Sequence, residues 1–198
     1  MGTRRTRRQL TALAAAAALA AGLGAPASAL AGPATTLATT ARPYCGITWG
    51  SLAKANAVSH TTGTLSGVRS GRHDCFDRLV LDVAKVPRSL SYDVRYVTTV
   101  REDGSGRAVP LKGDADLRIV LRAPAYDDQG RATFTPRSRT NVVDVTGYST
   151  FRQVAWAGSF EGQTTLGLGV RARLPMRVFV LDGPGDGARL VIDVAHRW

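Results

Sequence analysis

The sequence predicts an all-β fold: an antiparallel two-sheet β-sandwich of about nine or ten short strands, with at most one short helix near the N-terminus. Three observations carry this. Period-two alternation of apolar and polar residues recurs along the chain. Glycine and proline punctuate it about every eight to twelve residues. Long helical periodicity is absent.

The clearest strand lies within 71–83, read Gly-Arg-His-Asp-Cys-Phe-Asp-Arg-Leu-Val-Leu-Asp-Val. Arg78, Val80 and Asp82 fall on one side, and Leu79, Leu81 and Val83 on the other. That is the pattern of a half-buried strand. It returns as Arg189-Leu190-Val191-Ile192-Asp193-Val194. Similar strands near opposite ends of one domain suggest two comparable halves.

In chain order, residues 1–29 read as a secretory signal. Arg4, Arg5, Arg7 and Arg8 precede an apolar run over 10–21 that is too short to span a bilayer. Ala27-Ser28-Ala29 follows as a small-x-small cleavage site. Arg7-Arg8-Gln9-Leu10 loosely resembles a twin-arginine motif, so the export route stays open between two pathways. No cysteine directly follows the cleavage site, so the chain does not read as a lipoprotein. No later apolar run is long enough for a transmembrane segment.

Residues 30–43, rich in Ala, Thr and Pro, read as a flexible tether. Residues 44–198 form one domain. Within it a short helix is expected over 51–58, with Ser51 as N-cap. Strands are expected over 64–70, 78–83, 91–97, 108–111, 117–122, 141–148, 150–156, 164–173, 176–182 and 189–194. The segment 176–182 is apolar on both sides, which suits a central strand. Residues 123–139 hold Pro124, Gly130 and Pro136 among charges and read as a long loop.

Cys45 and Cys75 are the only cysteines. In an exported protein an isolated pair reads as a disulfide. Closing a loop of that size would add roughly 3–4 kcal/mol through the unfolded chain.

The net charge is +11, four of it in the leader arginines, leaving about +7 on the remainder. Lys54, Lys85 and Lys112 are the only lysines; the other basic residues are arginines. A basic exported protein suits anionic wall polymers or phospholipid headgroups. The basic residues are dispersed and no nucleic-acid motif accompanies them, so nucleic acid is not an expected partner.

His73, Asp74 and Asp77 form the most suggestive polar cluster, and His73 with Asp77 is read as ordering the turn before the strand. His60 and His196 lie far away in sequence, so neither a metal nor a cofactor is expected. No serine sits in Gly-x-Ser-x-Gly, and the only glutamates, Glu102 and Glu161, fall in turns. Catalytic residues are therefore not assigned. Arg118, Arg122, Arg171 and Arg173 fall at outward positions and would make a basic face if their strands share a sheet. Trp49, Trp156 and Trp198 are alternative sugar-stacking residues.

At Arg72-His73-Asp74-Cys75-Phe76-Asp77-Arg78-Leu79-Val80-Leu81-Asp82 the chain resembles the AMIN-like domain of actinobacterial secreted proteins and lipoproteins. Tyr92-Asp93-Val94-Arg95-Tyr96-Val97, Gly104-Ser105-Gly106, residues 117–124 and the Arg-Leu-Val-Ile-Asp-Val ending extend the resemblance over 64–198. Related AMIN domains are small β-sandwiches that localise envelope proteins by binding wall material. The resemblance thus implies a secreted, non-catalytic module that binds or scaffolds at the cell envelope, with an anionic cell-wall polymer or another envelope protein as partner. The alternatives are a wall-active hydrolase with an unrecognised site and a structural partner of another secreted protein. Oligomeric state is not legible.

Overall fold

The computed structural model describes residues 44–56, 60–86 and 90–198. The predicted leader and tether, 1–29 and 30–43, lie outside the described residues. A 3-10 turn over Tyr44–Gly46 precedes eleven described strands. These are β1 (Lys54–Ala55), β2 (Thr64–Arg72), β3 (Phe76–Ala84), β4 (Tyr92–Val97), β5 (Val100–Arg101), β6 (Ala108–Val109), β7 (Ala115–Leu121), β8 (Phe151–Phe160), β9 (Gln163–Val170), β10 (Met176–Asp182) and β11 (Ala188–Ala195). One sheet runs β1-β4-β7-β9-β8, a second β10-β11-β3-β2, and β5 with β6 forms a separate hairpin. Every pairing is antiparallel. The two large sheets make the predicted sandwich, and one apolar cluster fills the space between them.

The two similar strands are not the cores of separate halves. They are neighbours, β3 against β11. The repeated motif is self-complementary in an antiparallel register. Leu79 lies opposite Ile192, Leu81 opposite Leu190 and Val83 opposite Ala188, all inward and buried. The same register sets Arg78 opposite Asp193 and Arg189 opposite Asp82. Opposed charges of this kind favour one alignment over its neighbours.

Asp193 does not face open solvent: it is 0% exposed. Arg78 donates Nε and one terminal nitrogen to its two carboxylate oxygens at 2.6 and 2.8 Å. Arg177 on β10 adds a third contact at 2.8 Å. One carboxylate therefore joins three adjacent strands. The arginines lie over Phe76 and Phe179, and Arg177 also sits 4.4 Å from the Trp49 ring centre. Asp193→Ala is expected to cost about 2–3 kcal/mol in denaturant unfolding. The loss stays moderate because both guanidiniums reach water.

Glycines let the β5–β6 hairpin region lie on the first sheet. A Cβ on Gly169 would stand 2.1 Å from the Lys112 carbonyl oxygen, and one on Gly167 3.0 Å from Leu111. No side chain fits at Gly169 without moving backbone.

The fold departs from the sequence pattern at three segments. Over 51–58 the described residues show β1, not a helix. Asn56 binds the Leu90 carbonyl and the Tyr92 amide through its side chain, which draws the segment onto the sheet. Residues 141–148 are turns, not a strand. The Asp144 carboxylate caps the Thr146 amide and Gly147 takes φ +75°, so the chain bends. β10 is an edge strand, not a central one. Its outward apolar residue Phe179 lies against Arg78 and Arg177 instead of a further layer, and Leu181 stays exposed.

A candidate anion-binding cleft

At one end of the sandwich the β2–β3 turn, the end of β11, the exit of β9 and the loop before β8 converge. Asp77 is the knot. It is 0% exposed, and its Oδ2 accepts from the Thr150 and Phe151 amides at 2.6 and 3.1 Å. Its Oδ1 lies 3.2 Å from His196 Nε2. The His196 amide in turn donates to the Cys75 carbonyl at 3.0 Å. One carboxylate thus ties the starts of β3 and β8 to the end of β11. His73 works separately. Its amide donates to the Phe76 carbonyl, and its ring stacks on Phe76 at 4.5 Å.

Cys45 and Cys75 form a disulfide. It fastens the Tyr44–Gly46 turn to the β2–β3 turn, where the Tyr44 hydroxyl donates to the Asp74 carbonyl at 3.3 Å. The result is a cleft of about 660 Å³ beside the disulfide.

Its charge is one-sided. Arg72, Arg171 and Arg197 line it, with Asp74 as the only carboxylate among the described lining residues. Arg72 donates to the Gly147 carbonyl at 3.4 Å and lies over Tyr148. Arg171 donates to the His196 carbonyl at 2.5 Å. Arg197 lies 5.0 Å from the Tyr44 ring centre. Each is steered by a neutral partner, and none of the three forms an ion pair among the described residues. Their charge is left for something else. His73 and His196 also line the cleft and supply further ring nitrogens.

The four arginines expected on a basic face are divided among three places. Arg171 lines this cleft. Arg118 and Arg122, on and just after β7, line a separate cavity containing as many carboxylates as arginines. Arg173 lines a groove with Asp114 and Asp116, and donates to Ser51. Of the tryptophans, Trp156 is in the core, Trp49 covers Arg177, and Trp198 is exposed with its indole N–H on the Arg173 carbonyl. Arg72 heads the family motif without being marked there as a site residue, and Arg197 and His196 carry no sequence signal of their own. Among the described residues no three His, Cys, Asp or Glu side chains gather as a metal site.

The fold and this end-on cleft define a disulfide-pinned β-sandwich module with a cationic recess. The family model for the AMIN-like domain matches residues 63–196, and the chain belongs to that family. No curated protein and no solved structure matches the chain.

Proposed function

We propose that the protein is a secreted, non-catalytic module of the cell envelope that holds an anionic wall polymer in the cleft lined by Arg72, Arg171 and Arg197. The single observation behind this is the set of three converging arginines without a carboxylate partner among the described residues. Guanidinium groups bind carboxylates and phosphates through two parallel N–H donors, which suits a repeating anionic chain. Membership of the AMIN-like family supports a role at the envelope. The disulfide suits an oxidising compartment, and residues 1–29 supply the leader in this reading. No described helix is long and apolar enough to cross a membrane.

The test is to incubate the purified protein with isolated cell wall and follow both pelleting and release of soluble fragments. The expected outcome is pelleting without release. Time-dependent release would replace this reading with a wall-active hydrolase. Absence of pelleting would move the role to a protein partner.

A further inference from the structure

We propose that a second cavity, on the outer face of the β4-β7-β9 sheet, binds a small zwitterion: an ammonium and a carboxylate on one unit, as in a free α-amino acid. This site is independent of the cationic cleft. It has a volume of about 390 Å³, within the range of small-ligand sites. Asp93, Glu102 and Asp103 line it together with Arg101, Arg118 and Arg122.

Most of these charges are already engaged. Asp93 holds Arg95 and lies 3.7 Å from Arg118. Glu102 is taken by Arg107 and Arg139. Arg122 donates to the Gln163 side-chain oxygen. Asp103 is different. Its Oδ1 accepts from Thr165 and Gln163 at 3.0 and 3.3 Å, but its Oδ2 is buried with no partner among the described residues. Arg118 Nε is likewise buried with no partner among the described residues. An acceptor and a donor are thus both unmet in one cavity. No ion pair joins Asp103 to an arginine among the described residues. Burial holds its carboxyl above the ordinary range, against the pull of Thr165, Gln163, Arg118 and Arg122.

This arrangement selects against simple ions. A lone anion reaching the arginines meets the Asp103 charge, and a lone cation reaching Asp103 meets Arg118 and Arg122. A zwitterion places its ammonium at Asp103 and its carboxylate at Arg118, with the flexible arginine arms moving aside to admit it. Both unmet groups are then satisfied together.

The experiment titrates the full protein with alanine and, separately, with acetate and methylammonium, following NMR signals of the Gln163 side-chain amide and Thr165. The expected result is a saturable response to alanine, with each half-ligand at least about tenfold weaker. Asp103→Asn and Arg118→Gln, checked for folding by circular dichroism, are each expected to weaken alanine binding about tenfold or more. Equal binding of a half-ligand, no saturable response, or folded variants that keep full affinity overturns the proposal. If a variant fails to fold, the wild-type ligand series decides alone.

Discussion

Replacing Asp77 by alanine is expected to destabilise the fold by about 3–5 kcal/mol in denaturant unfolding. The carboxylate is fully buried and serves three groups on two other segments: the Thr150 and Phe151 amides and the His196 ring. Alanine leaves two buried N–H donors unmet, and each such loss carries a desolvation penalty. Asp77→Asn is the control. Its carbonyl oxygen can keep both amide bonds at the Oδ2 position, so a loss of about 1–2 kcal/mol is expected. A change below about 1 kcal/mol for Asp77→Ala would show that the knot does not hold this end of the sandwich.

Leu81→Ala is expected to cost about 3–5 kcal/mol. Leu81 is 0% exposed at the centre of β3, paired with Val68 of β2 on one side and Leu190 of β11 on the other. Strands on both sides restrict collapse, so truncation removes transfer energy and leaves a cavity. Ile192→Ala, opposite Leu79 on β11, is expected to behave alike. Losses below about 1 kcal/mol at both positions would contradict the inward facing of the paired motif.

The parts of the fold legible in the sequence are those governed by local pattern. The alternation of Leu79, Leu81 and Val83 against Arg78 and Asp82 predicts β3 and its inner face, and the same holds for β11. The pairing of these two strands with each other was not legible, because it joins residues over a hundred positions apart. Its self-complementary charges become visible only when the two motifs are written antiparallel. β10 misleads for a related reason. Val178 and Val180 pack on the core while Phe179 packs on arginines, and the pattern does not tell arginine stems from another sheet. Residues 141–148 contain strand-forming valines, but the Asp144 cap and Gly147 bend the chain there.

The candidate site was legible only in its frame. The cysteine pair marks the place, and Asp77 beside it holds it together through Thr150, Phe151 and His196 instead of through His73. The cationic character depends on Arg72, Arg171 and Arg197 arriving at the ends of β2, β9 and β11, with a single carboxylate, Asp74, among the described lining residues. Such convergence is a property of topology. Arg171 and Arg173 do not join Arg118 and Arg122 on one strand face because β9 ends before them, and Arg171 then turns toward His196.

The most direct measurement is the equilibrium affinity for a purified anionic wall polymer across a series of salt concentrations. It compares the wild type with the triple variant Arg72→Gln, Arg171→Gln, Arg197→Gln. Binding of a polyanion by arginines releases counterions, so the logarithm of affinity falls steeply as salt rises. The wild type is expected to show that steep fall, and a folded triple variant both weaker binding and a flatter slope. A salt-independent affinity, or a triple variant with unchanged affinity and slope, would contradict it.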